Sequence, residues 1–222
     1  MVKVNCEKLK AKGILIDLDG TIVDSRQAYL EAVKTALSAV GKKTVDISVV
    51  TEIPKRIEQN LPINDLLEGV NTRKFLDAYF KAWYQASSQK AKPMPNIDET
   101  LNKLAQKAKL ALITMRHVPR IDIIKQLERF GVAKYFQIVV TGMDVERQKP
   151  SPEGLLKCTE ELHVREGECI VVGDSVLDIR LGKGAGAKTV AVLSGIYSLD
   201  ELKNEKPDMI LEDLSKLANC LE

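Results

Sequence analysis

The stretch Gly13-Ile14-Leu15-Ile16-Asp17-Leu18-Asp19-Gly20-Thr21 puts two carboxylates, a glycine and a hydroxyl directly behind an apolar run. A short, continuous apolar run of this kind reads as a strand buried on both faces. Strand side chains alternate in direction, so Asp17 and Asp19 point the same way and could share one metal and one reacting group. If the chain turns after Asp17 the directions change, but the two groups stay close. Gly20 frees the backbone for a tight turn beside a ligand, and Thr21 offers a hydroxyl to the same space. Taken alone, the segment also fits a strand ending in an ordinary acidic turn, since Asp-Gly is a common turn pair.

The chain has 222 residues, enough for one large domain or for a core domain carrying a smaller insertion. Lys+Arg 33 against Asp+Glu 31 leaves a net charge of +2, far from the basic excess of a dedicated nucleic-acid binder. No nucleic-acid partner is expected. Cys6, Cys158, Cys169 and Cys220 are scattered and form no Cys-x-x-Cys pair, which points to reduced thiols, with no zinc site and no disulfide framework. The first eight residues carry the charges of Lys3, Glu7 and Lys8 and precede a strand where a signal peptide would have its apolar core, and no apolar run approaches membrane-spanning length. A cytoplasmic protein without a membrane partner is expected. The oligomeric state is left open, a monomer being compatible with the chain.

Beyond Asp17 the pattern turns helical. Leu30, Val33, Leu37 and Val40 recur at three- and four-residue steps, with Asp24 or Ser25 as N-cap and Gly41 as stop. Phe75, Tyr79, Phe80 and Trp83 mark a second helix, whose aromatic stripe reads as packing. Between them, Pro54 and Pro62 break the pattern into shorter helices and loops. From Pro93 onward helices and strands alternate: a helix over 98–107, Leu110–Ile113, a helix from Pro119 to Phe130, Ile138–Val140, a helix from Pro152, Ile170–Val172, Val190–Leu193 and Met209–Leu211. Alternation implies a parallel sheet covered on both faces, with ligands at the carboxyl ends of its strands. The expected fold is α/β: a Rossmann-like three-layer core with a mainly parallel sheet, residues 1–21 and 94–222, interrupted by an all-helical insertion, residues 22–93.

Four strand ends deliver polar groups. The first gives Asp17 and Asp19; the second Thr114, then Met115, Arg116 and His117; the segment after the third Lys149-Pro150-Ser151-Pro152; and the fourth Gly173-Asp174-Ser175-Val176-Leu177-Asp178. Each has a plain alternative as a helix cap or a solvated charge. In this order, with Asp-Leu-Asp-Gly-Thr-Ile-Val-Asp-Ser at 17–25, the set resembles the haloacid dehalogenase superfamily, in particular its helical-cap phosphatases of the phosphoglycolate phosphatase type. The resemblance runs from Asp17 to about Asp178.

That resemblance implies a Mg²⁺-dependent phosphatase acting on a small phosphate monoester through an aspartyl-phosphate. Asp17 would be the nucleophile and Asp19 the proton donor and acceptor. Mg²⁺ would be held by Asp17, the backbone carbonyl of Asp19 and Asp174, with Asp178 orienting Lys149 or a metal-bound water. Lys149, Thr114 and backbone N–H groups near Gly20 would bind the phosphoryl oxygens. Oxygen ligands suit Mg²⁺ better than zinc. Asp19 sets the chain apart from the dehalogenases of the superfamily, which have no alcohol to protonate. Phosphonate-cleaving relatives use a cap lysine as a Schiff base, whereas Lys34, Lys42, Lys43 and Lys55 read as solvated charges.

Arg116 departs from the family pattern after the threonine, and is expected either to make a bidentate contact with a phosphate or carboxylate or to sit on the rim. His117 reads as a helix-entry residue. The insertion, counted over 22–95, carries eleven Lys/Arg and eight Asp/Glu. It is therefore the basic part, and Lys55 and Arg56 are candidates for the substrate's anionic group, beside surface lysines as the plain alternative. Two other functions share these residues: a sugar phosphomutase of the beta-phosphoglucomutase type, and a non-catalytic module that keeps the phosphate site.

Overall fold

The computed structural model of the chain describes residues 8–42 and 46–222; Cys6 and Lys43 lie outside them. In chain order the principal elements are β1 (Gly13–Ile16), β2 (Val23–Asp24), α1 (Arg26–Ala39), α2 (Ile47–Glu58), α3 (Thr72–Gln89), β3 (Lys92–Pro93), α4 (Ile97–Ala105), β4 (Lys109–Ile113), α5 (Arg120–Arg129), β5 (Phe136–Val140), α6 (Glu153–Leu162), β6 (Cys169–Gly173), α7 (Val176–Gly184), β7 (Lys188–Val192), α8 (Leu199–Asn204) and β8 (Met209–Leu211). Two compact units result, one formed by residues 1–23 and 93–222, the other by residues 24–92. The short strands β2 and β3 pair with each other.

The first unit is an α/β layer structure around a six-stranded sheet of order β5-β4-β1-β6-β7-β8, every pair parallel. Its central strands are apolar throughout because both faces are covered. Leu15, Ala111, Ile113, Val140 and Val171 pack with Leu155, Cys158 and Leu162 of α6 and with Leu181 of α7. The alternate residues Ile14, Ile16, Leu110, Leu112, Ile170 and Val172 are equally buried on the opposite face. Each such side chain contributes about 1.5–3 kcal/mol of burial free energy.

The strand order carries a functional consequence. β4 and β5 lie on one side of β1, and the chain then crosses to the other side to lay down β6, β7 and β8. The reversal opens a crevice at the carboxyl end of β1, the place where doubly wound sheets bind ligands. Asp17 is the first residue past that strand, and its N–H continues the ladder to Val172 O at 2.9 Å.

The second unit is helical. Ala32, Val33, Ala36 and Leu37 of α1, Val50 and Ile53 of α2, and Phe75 and Tyr79 of α3 form its core. The aromatic stripe is corrected in one position: Phe80 is 44% exposed, while Trp83 packs partly against the core. Phe80 follows Tyr79 by one residue, about 100° around the helix, and so leaves the packed side of α3, whereas Trp83, four residues past Tyr79, stays on it beside Tyr29 of α1. Pro54 does not break α2 but sits inside it. Cys158 and Cys169 are free, buried thiols, whereas Cys220 is disulfide-bonded, which corrects the expectation of reduced thiols throughout. Among the described residues no helix is long and apolar enough to cross a membrane.

Candidate active site

Four segments meet at the carboxyl end of β1. Asp17 follows β1 and Thr114 follows β4, whose N–H bonds Val140 O at 2.9 Å. Lys149 lies on the loop between β5 and α6. Asp174 follows β6, and Asp178 lies in the first turn of α7. Lys149 Nζ donates to Asp17 Oδ1 at 2.6 Å and to Asp178 Oδ1 at 2.7 Å, all three side chains being buried. The other oxygen of Asp178, Oδ2, accepts from Ser175 N at 3.2 Å. It thereby closes the reciprocal cap that starts α7, so one carboxylate both begins a helix and aims the lysine. Thr21 Oγ1 donates to Asp174 Oδ1 at 3.4 Å.

Burial raises the Asp17 carboxyl well above the ordinary carboxylate range, and the charges of Asp178 and Asp19 add to this against the opposing Lys149. Burial also disfavours the Lys149 ammonium, but Asp17 and Asp178 outweigh it and hold the lysine above its usual value. The lysine therefore remains charged, and one ammonium stands among three buried carboxylates, Asp17, Asp174 and Asp178, whose ligand oxygens lie within 4.8 Å of one another. Were all three ionised, two negative charges would stand uncompensated by the lysine, and with no cation there Asp17 keeps its proton. A hard divalent cation matches both that charge and the all-oxygen donor set.

Glycines make room for these acids. Gly20 has φ +83, and a Cβ there would lie 2.5 Å from the Asp174 carboxyl carbon. A Cβ on Gly173 would overlap the Asp178 carboxylate, and one on Gly195 would overlap Asp174. The Gly20 N–H itself donates to Val23 O at 2.7 Å. Its carbonyl accepts from Ser194 Oγ at 2.6 Å, which ties the loop after β1 to the loop after β7.

Asp19 stands apart from the lysine cluster. Arg116 grips it in a two-pronged contact, Nε to Oδ2 at 2.7 Å and Nη2 to Oδ1 at 2.6 Å, and Arg116 Nη1 donates to Gln126 Oε1 of α5 at 2.8 Å. The carboxylate that Arg116 binds is therefore the protein's own. Thr114 Oγ1 accepts from Arg116 N at 3.2 Å. His117 is exposed in the loop before α5. In the helical unit, Arg56 on α2 is ion-paired with Glu52 at 3.1 Å and Asp65 at 2.7 Å, and Lys55 is half-buried beside it. Sequence reading passed over Gln126, Ser194 and Gly195. Gln126 left a signal, a polar residue on the apolar stripe Ile123–Leu127 of α5.

Fold and site define a Rossmann-like enzyme with its acids gathered at adjacent strand ends. The family model of the haloacid dehalogenase-like hydrolases matches residues 14–192, and the chain belongs to that family. It is 31% identical over 220 residues to a curated protein named "Putative pyrophosphatase PpaX" from Caldanaerobacter subterraneus, covering 96% of each chain. It is 27% identical over 234 residues to the phosphoglycolate phosphatase of Escherichia coli, covering 95% of this chain and 92% of that one. A solved haloacid dehalogenase-like family hydrolase from Streptococcus pneumoniae superposes with a TM-score of 0.76 at 16% identity, over 94% of this chain and 97% of its own.

Proposed function

We propose that the protein is a Mg²⁺-dependent phosphatase that hydrolyses a small, phosphoglycolate-like phosphate monoester through an aspartyl-phosphate on Asp17. The cytoplasm is the location that goes with this reading, and the insertion over residues 22–93, which takes in the helical unit, serves as its cap. The observation that carries it is the Lys149 bridge between Asp17 and Asp178 beside Asp174. A carboxylate presented at a strand end, with a fixed cation at its side and metal-binding acids around it, is equipped to attack phosphorus. The phosphoglycolate phosphatase among the relatives supports the choice of substrate.

Phosphate monoesters resist hydrolysis because their anionic oxygens repel a nucleophile. A divalent ion would be held by Asp17, Asp174 and the Asp19 carbonyl, with Asp178 nearby, and would supply positive charge to offset this repulsion. Lys149 adds a fixed charge beside the nucleophile. The Thr114 hydroxyl already accepts from Arg116 N, which leaves its proton to be donated to a phosphoryl oxygen. An oxygen of Asp17 forms the bond to phosphorus as the ester oxygen departs, taking a proton from Asp19. Asp19, now a carboxylate, takes a proton from the water that attacks the aspartyl-phosphate, releasing inorganic phosphate and restoring Asp17. Lys55 and Arg56 of the helical unit are the candidates for the far end of the substrate.

Purified protein should release phosphate from 4-nitrophenyl phosphate and from phosphoglycolate, with activity lost to a chelator and restored by Mg²⁺. Asp17→Asn should lower turnover by at least about 10³-fold, as loss of a nucleophile does. Full activity in Asp17→Asn would sink the nucleophile assignment. Sugar-phosphate isomerisation without net phosphate release would reveal a mutase, and phosphate binding without turnover a binding module.

A further inference from the structure

The geometry assigns to Arg116 and Gln126 the positioning of Asp19, a role that rests on the reading of Asp19 as proton donor and acceptor. Arg116 has a side chain only 3% exposed. Its guanidinium is directed at Asp19 and Gln126, and so into the protein. The two parallel bonds from Nε and Nη2 each take one lone pair of an Asp19 oxygen, so the carboxylate plane cannot rotate without breaking them, while the second lone pair on each oxygen is left for the proton it carries. Arg116 is itself fixed at three points. Its N–H bonds Thr114 Oγ1 at 3.2 Å, its carbonyl accepts from Gly142 N at 2.9 Å, and its Nη1 is anchored on buried Gln126 at 2.8 Å.

The chain Gln126, Arg116, Asp19 thus carries the rigidity of α5 and of the ends of β4 and β5 to a side chain on the loop after β1. This matters because Asp19 must meet two atoms in succession, the departing ester oxygen and the incoming water. A proton-transfer group on a mobile loop would lose alignment with both. A misplacement of about 1 Å costs on the order of 10²-fold in rate. A lysine at position 116 would keep the charge but not the planar fork, and would let the carboxylate turn.

The test compares Arg116→Lys, Gln126→Leu, Asp19→Asn and the double variant Asp19→Asn/Arg116→Lys, with folding followed by Tm. The expected result for Arg116→Lys is a fall in kcat on phosphoglycolate of roughly 10- to 100-fold, with KM and inhibition by inorganic phosphate within about twofold of wild type. Gln126→Leu, which leaves the ion pair in place, should lose a smaller part of kcat in the same pattern. The double variant should be no slower than Asp19→Asn alone, because Arg116 acts through Asp19.

A rise in KM and weaker inhibition by phosphate at unchanged kcat would overturn the proposal and make Arg116 a substrate-binding group. So would an additive double variant, or unchanged kcat in Gln126→Leu should Arg116→Lys fail to fold. Wild-type turnover in Asp19→Asn would instead overturn the underlying assignment of Asp19, whatever the Arg116 variants do.

Discussion

Asp17 and Asp19 are two residues apart and meet different partners: Lys149 for the first, Arg116 for the second. An attacking carboxylate needs a cation beside it, and a proton carrier needs a fixed direction. For Asp19→Asn the loss of kcat should be larger on an alkyl phosphate than on 4-nitrophenyl phosphate, because a nitrophenolate leaves without being protonated. Parallel assays on the two esters check this, and equal losses would count against the general-acid role. Most of these residues were readable in the sequence because each follows an apolar run: Asp17, Thr114, Asp174 and Asp178 are placed by their strands. The partner of Arg116 was not readable. The contact joins positions 97 apart, and nothing in a local pattern states which of several carboxylates a buried arginine will meet.

At the scale of elements, the helices sit where side-chain size permits. Gly182 of α7 faces the sheet so closely that a Cβ there would lie 2.5 Å from Thr189 Cγ2 and 3.2 Å from Val171 Cβ. Gly182→Ala should push α7 away from β6 and β7 and destabilise the protein by about 1–3 kcal/mol, the usual cost of overpacking. Urea denaturation measures it. Because α7 carries Asp178 and its cap, a loss of activity should accompany the loss of stability. Strands and long helices followed from periodicity, yet that periodicity placed Phe80 on the packed stripe and let Pro54 interrupt a helix. One apolar stripe was wider than the face it had to cover. The proline kept its place because tertiary packing of Val50 and Ile53 before it and of Ile57 after it holds α2 together.

For the whole molecule, the buried acids link stability to pH and metal. The folded protein holds the Asp17 proton up to about 8 in place of the ordinary 3.8. Between these values the folded state binds a proton that the unfolded chain has released, so this group makes metal-free stability fall as pH rises. Asp144 works the other way. Although burial opposes it, hydrogen bonds from Thr141 and Arg120 hold its carboxyl below the usual range. Its contribution is complete above the ordinary carboxylate value and is lost as pH falls through the lowered one. Mg²⁺ should therefore raise Tm more near pH 8 than near pH 4, where Asp17 is protonated and competes with the ion. Melting curves with and without Mg²⁺ check this, and Asp17→Asn should flatten the metal-free profile.

The acids of this site are shaped by what is missing around them. Gly20 and Gly195 border Asp174, and Gly173 borders Asp178, at distances where no other residue could stand without moving a carboxylate. The vulnerability of the centre is thus spread over positions that hold no reactive group at all. A variant found at any of these three glycines belongs in the same class as one at the acids themselves, and a redesign of the pocket has no spare volume on that side.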